Sequence, residues 1–183
     1  MKNLTSFNFQ KLIGKGFRGI RSAFCKVSVY NGKTESYVDY KAVMHISVME
    51  GNSDKIIDVD IESEWFEYSN GGDCLRMKLK YEDVSYQYQD SWSANKHKNL
   101  SSQISVLNFI ISSIDLYGYN IDFNLVEPTE HIMLFKSRNG QEILIKPDQC
   151  GLGLLFSFDS ALNKSFFEES AQSEFIYHIR RFE

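Results

Sequence analysis

Apolar and polar residues alternate along most of residues 22–89, and three turn signals interrupt the alternation. Because successive side chains of a strand point to opposite faces of a sheet, such alternation predicts strands with one buried face. The turn signals are Asn31-Gly32, Asn52-Ser53 and Asn70-Gly71-Gly72. Asn-Gly and Gly-Gly steps readily adopt the positive φ angles of tight reversals. The pattern therefore predicts a four-stranded antiparallel meander over about residues 22–89.

Each turn signal predicts a register, and the three registers agree on which face of the meander is apolar. Representative predicted pairs are Val27 with Ser36, Ile46 with Val59, and Ser63 with Leu79. A slip of one residue would move every apolar side chain to the other face of the sheet. The agreement between the three registers is therefore the main support for the meander.

The polar face of the meander carries a row of carboxylates on one strand and a row of cations on the next. The carboxylates are Asp58, Asp60, Glu62 and Glu64, and the cations are Arg76, Lys78 and Lys80. The predicted cross-strand neighbours are Glu64 with Lys78 and Lys41, Glu62 with Lys80, and Asp60 with His45. Each such pair contributes roughly 0.2–1 kcal/mol, so the row is first a structural feature. Asp58 and Asp60 are predicted to extend beyond the cations.

The second half of the chain predicts one long helix followed by more strands. Over about residues 101–117, apolar residues recur at helical spacing between a capping Ser101-Ser102 and Gly118. A second antiparallel strand group is predicted over about residues 121–158, as Ile121–Val126, Ile132–Ser137, Glu142–Lys146 and Leu152–Phe158. Met133-Leu134-Phe135 is apolar on both faces, which predicts that this group is covered on both sides.

Asp159 or Ser160 is positioned to cap a C-terminal helical segment, and residues 172–183 fit a helix and a strand equally well. The fold class predicted from these elements is α+β. We expect one domain over residues 1–183, since domains commonly hold about 100–200 residues. Residues 1–21 form a basic N-terminal segment, and the sequence leaves open whether that segment is ordered or flexible.

Charge is distributed unevenly along the chain. Residues 1–26 carry six basic residues and no carboxylate, whereas the rest carries 14 basic and 24 acidic residues. Such a segment suits an anionic partner, nucleic acid included, or a contact with the acidic remainder of the chain. The cysteines Cys25, Cys74 and Cys150 form no CxxC pair, which favours free thiols and a cytoplasmic location. We identify neither a secretory signal nor a membrane span.

Two weak patterns point to phosphodiester chemistry. Asp58 and Asp60 are spaced as a pair of oxygen ligands for a metal such as magnesium, with His45 as a base and Lys41 beside the substrate. His45-Ile46-Ser47-Val48 also matches the repeated motif of two-histidine phosphoesterases. The only second copy begins at His131 and has Met133 where the motif requires a hydroxyl.

The sequence favours a non-enzymatic cytoplasmic binding protein, of the inhibitor or of the antitoxin and immunity type. The expected partner is a basic protein that contacts Asp58, Asp60, Glu62 and Glu64, with Trp92 as an apolar anchor. No cofactor and no membrane partner are expected. The alternatives are a metal- or histidine-dependent phosphodiester enzyme, using His45, Asp60 and Lys41, and an assembly subunit that pairs through edge strands. The oligomeric state is left open.

Overall fold

The computed structural model describes residues 2–3, 7–22, 25–30, 33–38, 41–50, 53–67, 73–86, 102–119, 130–147, 153–172 and 176–183. The strands in this part of the chain are β1 Lys2–Asn3, β2 Gly16–Ser22, β3 Cys25–Tyr30, β4 Lys33–Val38, β5 Lys41–Glu50, β6 Ser53–Glu67, β7 Asp73–Tyr86, β8 Ser102–Tyr119, β9 Glu130–Ser137, β10 Glu142–Pro147, β11 Leu154–Ser157 and β12 Ile176–Phe182. One α-helix, α1, spans Ser160–Gln172, and a 3-10 helix spans Phe9–Leu12.

The described strands join in one sheet in the order β1-β7-β6-β5-β2-β8-β9-β10-β11-β4-β3, and β12 pairs with β8. Every described pairing is antiparallel, which confirms the α+β class in its coarse form. The predicted division into a four-stranded meander and a separate second strand group is wrong. Of the strands described in the predicted meander, β5, β6 and β7 do follow one another, but the hairpin of β3 and β4 pairs with β11 at the opposite end of the sheet.

The meander is interrupted because β2 lies between β5 and β8. Most of β2 belongs to the basic N-terminal segment whose order the sequence left open, and Phe17 and Ile20 of β2 are buried in the core. The adjacent 3-10 helix adds Phe9 and Leu12 to that core. Alternation along a strand shows which face is buried, but it does not show which strand pairs with each edge.

The long helix predicted over about residues 101–117 is wrong, because this segment is strand β8. Its β-branched and aromatic residues favour a strand. Two irregularities give the strand an apparent helical spacing. Asn108 has a φ of 57°, and the register shifts between Ile111 and Ser113. The shift puts both Ile111 and Ile114, three positions apart, into the same core, whereas Leu107 is 77% exposed.

The three predicted hairpin registers have different outcomes. The first is confirmed, since Val27 pairs with Ser36 as predicted. The second and third are wrong by two residues: Met44 rather than Ile46 lies opposite Val59, and Ile61 rather than Ser63 lies opposite Leu79. The second turn was placed one residue too late, since Glu50 already pairs with Ser53. A shift of two residues leaves every side chain on the same face of the sheet, so the apolar pattern alone cannot distinguish the two registers.

The two halves of the sheet share one hydrophobic core. Strand β7 contacts β9 and β10 without pairing with them, so the sheet folds over and its inner faces meet. Phe17 joins the halves, because its ring centroid lies 6.0 Å from that of Phe109 and 5.5 Å from that of Phe135. Each aromatic contact of this kind contributes about 0.5–1.5 kcal/mol beyond the area it buries.

The outer face of β9 and β10 is covered by α1. Ile132, Leu134 and Leu144 form a second apolar cluster with Phe166 and Phe167 of the helix. This arrangement confirms that the strand group around Met133 to Phe135 is covered on both sides. The predicted C-terminal helix is also present, and Oδ1 of Asp159 accepts hydrogen bonds from the backbone N–H groups of Ala161 (2.9 Å) and Leu162 (3.1 Å).

The undecided C-terminal segment contains strand β12. The strand predicted at Ile121–Val126 lies outside the described residues. The Asn139-Gly140 hairpin between β9 and β10 is present, and Gly140 has a φ of 82°.

We predict that Gly19→Ala destabilises the fold much more than Gly140→Ala. Gly19 has a φ of 149°, and an added Cβ would lie 2.2 Å from the carbonyl oxygen of Ile104 in β8. We expect a loss of about 2–3 kcal/mol in the free energy of unfolding. An added Cβ at Gly140 would have no atom within 4 Å. Gly140→Ala should therefore lower the free energy of unfolding by only about 1 kcal/mol, the cost of the positive φ. Urea unfolding of both variants measures the difference, and equal losses would contradict the close approach of β2 and β8.

Candidate functional site

The predicted carboxylate row lies along β6 on the sheet face that points away from the core. Asp58, Asp60 and Glu62 are half-buried, while Val59 and Ile61 between them are buried in the core. Glu64 continues the same alternation in the backbone register. Strand β6 therefore holds these carboxylates at every second position on a rigid element, as the sequence predicted.

The corrected registers change the neighbours of this row. Glu62 lies opposite Lys41 on β5 and opposite Lys78 on β7. In the same registers Asp60 lies opposite Lys80, and Glu64 lies opposite Arg76. The row is therefore flanked by cationic positions along more of its length than the sequence predicted. Only its Asp58 end has an acidic neighbour on β7, which is Glu82.

Asp58, rather than Asp60, is the partner of His45. Nδ1 of His45 lies 2.8 Å from Oδ1 of Asp58, and the two residues are directly opposite in the register. His45 is only 4% exposed although it is on the outer face of β5. The prediction that His45 faces Asp60 is therefore wrong, and the cause is the two-residue register shift.

Basic residues of β2 continue this polar face beyond β5. Nε of Arg18 donates a 2.8 Å hydrogen bond to Oγ of the buried Ser47, and that hydroxyl donates to the carbonyl oxygen of Gly16 at 3.4 Å. Burial lowers the pKa of Arg21, and the charge of Asp58 partly opposes that change. The basic N-terminal segment thus contributes a strand to the sheet that carries the acidic row.

The structure separates some residues that the sequence grouped together. Lys41 lies opposite Glu62, four residues from the position of Asp58 on β6. The two copies of the two-histidine motif lie on β5 and β9, with β2 and β8 between them in the sheet. Trp92 is outside the described residues. Among the residues described, no group of three or more His, Cys, Asp or Glu is arranged to hold a metal ion.

A second polar cluster, which the sequence did not predict, surrounds Asp115 of β8. This carboxylate is fully buried. Arg181 of β12 donates two hydrogen bonds to it, from Nε to Oδ1 (2.7 Å) and from Nη2 to Oδ2 (2.9 Å). Nε2 of His178 lies 3.1 Å from Oδ1, and Nζ of Lys136 on β9 lies 3.3 Å from Oδ2. We call Asp115, Lys136, His178 and Arg181 the Asp115 cluster.

A β-bulge in β12 puts two basic residues of that strand, His178 and Arg181, beside Asp115. In a regular strand, residues three apart point to opposite faces. Here the register shifts between His178 and Arg180, so His178 lies opposite Tyr117 and Arg181 lies opposite Asp115. The extra residue therefore brings His178 and Arg181 to the same face, which is a known use of bulges near functional groups.

The environment of the cluster shifts three pKa values, and the hydrogen bond and charge of Asp115 raise that of Arg181. Burial alone would raise the pKa of Asp115, but hydrogen bonds from Arg181 and His178 and the charge of Lys136 lower it below its usual value. Burial and the charge of Asp115 raise the pKa of Tyr117 to about 12. The cluster at neutral pH therefore contains a charged carboxylate and a neutral phenol.

The sequence contained one signal for this cluster. Asp115 is an isolated carboxylate between Ile114 and Leu116, and a strand assignment would have put it on the same face as Tyr117. The helix assignment hid that relation. The bulge that aligns His178 with Arg181 has no comparable signal in the sequence.

Comparisons of the chain with protein-family models, curated proteins and solved structures found no match. Across the described ranges, α1 and the 3-10 helix are too short or too polar to cross a membrane.

We predict that Asp115→Asn removes a pH-dependent part of the stability. Because the folded pKa of Asp115 is lowered, its contribution is complete above the unfolded value of about 3.9 and is lost as the pH falls through the folded value. At pH 7 the free energy of unfolding of the variant should be about 2–3 kcal/mol lower than that of wild type, because the ion pairs of Asp115 are lost. The loss is not larger because Lys136 and Arg181 are partly exposed and regain contact with water.

Urea unfolding between pH 2 and pH 7 measures this effect. The difference in the free energy of unfolding between the variant and wild type should become smaller as the pH falls toward 2. Lys164→Gln is the control, because it removes an exposed ion pair with Glu168 at 3.6 Å. That change should cost less than about 0.5 kcal/mol. A gap that is independent of pH would contradict the assigned role of the Asp115 carboxylate.

Proposed function

We propose that the protein is a non-enzymatic cytoplasmic binding protein, of the inhibitor or of the antitoxin and immunity type. Its binding surface is the outer face of β5, β6 and β7, and its partner is a basic protein. The observation that carries the proposal is the carboxylate row of Asp58, Asp60 and Glu62, held on β6 by the buried residues between them. The cytoplasmic location rests on the use of cysteine in the sequence.

Rigidity makes this row suitable for recognition. Asp58 and Glu62 are four residues apart on one strand, a separation of about 13 Å along the backbone. Groups fixed on a sheet lose little conformational freedom when a partner binds, so less of the interaction energy is spent on ordering them. Fixed carboxylates also steer the encounter with a basic partner and raise the association rate.

The cationic positions beside the row determine what kind of partner fits. Because Lys41 and Lys78 flank Glu62 in the register, the face alternates in charge from strand to strand. A complementary partner places its own cations over β6 and its anions over the neighbouring strands. Charge order of this type fixes the orientation of a complex and makes binding sensitive to salt.

We predict that a double variant, Asp60→Asn with Glu62→Gln, loses the partner. Tagged wild-type protein, captured from its own host and analysed by mass spectrometry, should retain one stoichiometric basic protein that high salt releases. Binding of that purified partner to the double variant should weaken at least about tenfold, mainly through slower association.

The matched control is Glu168→Gln with Glu169→Gln, which removes two exposed carboxylates of α1. It changes the net charge of the protein by the same amount. Equal binding by the double variant and wild type would contradict the proposal, as would capture of no basic protein. Equal weakening in both variants would show an effect of net charge alone, which also contradicts a site on β6.

A phosphodiester enzyme is the second candidate, and the 2.8 Å contact between His45 and Asp58 favours it. A carboxylate in this position orients an imidazole for general acid or base catalysis. Arg18 and Arg21 on the neighbouring strand would offer charge for a phosphate. His45 is only 4% exposed, which counts against this candidate because a catalytic group has to reach the substrate.

Metal binding separates the two candidates. The enzyme candidate with Asp58 and Asp60 as ligands predicts that millimolar magnesium or manganese raises the Tm of wild type but not that of Asp60→Asn. The binding-protein proposal predicts equal Tm values with and without metal for both proteins. Thermal unfolding in the presence of each metal, with a chelator as the reference, makes the measurement.

A further inference from the structure

We propose that the Asp115 cluster is a binding site for an oxyanion, namely a phosphate group that is free or part of a phosphate monoester. Lys136, His178 and Arg181 would contact the anion, and Asp115 would hold these three side chains in place. The site uses β8, β9 and β12, so the proposal is independent of the carboxylate row on β6.

Two cationic side chains of the cluster converge on one buried carboxylate. Lys136 and Arg181 are both permanently charged at neutral pH, and both contact the single carboxylate of Asp115. His178 adds a further charge when it is protonated. The charge that Asp115 does not balance is met by the exposed carboxylate of Glu183, and a phosphate group that displaced Glu183 would balance it instead.

Donors also remain after the contacts with Asp115 are made. Arg181 uses Nε and Nη2 for the carboxylate, and its Nη1 contacts only the exposed side chain of Glu183 among the contacts described. His178 turns Nε2 toward Asp115, so its Nδ1 points away from the carboxylate. The side chains of Arg181 and His178 are 47% exposed and that of Lys136 is 32% exposed, so the outer sides of all three are accessible.

A carboxylate of the chain already occupies part of this position. Oε1 of Glu183 lies 3.5 Å from Nη1 of Arg181, and the Glu183 side chain is 69% exposed. An oxyanion ligand would compete with Glu183 for this nitrogen. Glu142 is another nearby negative charge, and it contributes to the raised pKa of Tyr117.

Aromatic rings border the cluster and suggest how a monoester would be recognised. The ring of Tyr117 lies 5.1 Å from that of His178 and 4.6 Å from that of Phe167 on α1. Burial and the charge of Asp115 keep the Tyr117 phenol neutral, so it remains a hydrogen-bond donor. An organic group attached to the phosphate would contact these rings, whereas inorganic phosphate would not.

Calorimetry with inorganic phosphate and with phenyl phosphate tests the proposal. Wild type should bind at least one of them saturably with a stoichiometry of one. Lys136→Gln and His178→Gln should each weaken binding about fivefold to tenfold, because each removes a charge-assisted contact. Glu183→Gln should tighten binding about threefold, since it removes the competing carboxylate. These changes leave the two hydrogen bonds between Arg181 and Asp115 in place.

Lys164→Gln is the control for the loss of one positive charge, because Lys164 is on the exposed side of α1. Tighter binding of phenyl phosphate would assign the site to monoesters, and equal binding would assign it to the phosphate group itself. Heat that rises linearly without saturation would overturn the proposal. Equal weakening in Lys136→Gln and Lys164→Gln would also overturn it, as would a Glu183→Gln variant that binds no more tightly than wild type.

Discussion

The architecture depends on strand β8, which pairs with both halves of the sheet. Its residues from Ser102 to Ile110 pair with β2, and those from Ile111 to Gly118 pair with β9. Because one strand belongs to both halves, their inner faces meet around the rings of Phe17 and Phe135. A break in β8 would therefore separate the hydrogen-bonded sheet and divide its single core at the same point.

Strand β8 contains irregular positions on either side of the point where pairing with β2 ends and pairing with β9 begins. Asn108 adopts a positive φ, which asparagine tolerates better than most residues, and a register shift follows between Ile111 and Ser113. On β2, the register shifts between Phe17 and Gly19, and an added Cβ at Gly19 would lie 2.2 Å from the carbonyl oxygen of Ile104 in β8. Bulges increase local twist and bend a strand.

The sequence predicted what depends on local chemistry and on period. The β3–β4 register follows from Asn31-Gly32, the polar face of β6 follows from its alternation, and the start of α1 follows from Asp159. It did not predict the order of the strands, since pairing between distant segments leaves no local signal. The β8 assignment failed because two bulges imitate the spacing of a helix. The β5–β6 register failed because a shift of two residues leaves the apolar face unchanged.

The two polar clusters show opposite solutions to one electrostatic problem. On the β6 face, Asp58, Asp60 and Glu62 are half-buried, and the register puts basic positions of β5 and β7 opposite Asp60 and Glu62. At Asp115 the carboxylate is fully buried and must be neutralised locally, because an unpaired charge there would be very costly.

Two cationic side chains, Lys136 and Arg181, and the imidazole of His178 meet that requirement around Asp115. Pairing alone would need only the two hydrogen bonds from Arg181, yet Lys136 and His178 also contact the same carboxylate. The bulge in β12 is what adds His178 to the cluster, since regular pairing would turn it to the other face. A local irregularity in β12 thus gathers more hydrogen-bond donors than the buried carboxylate needs, and the outer sides of these side chains face solvent.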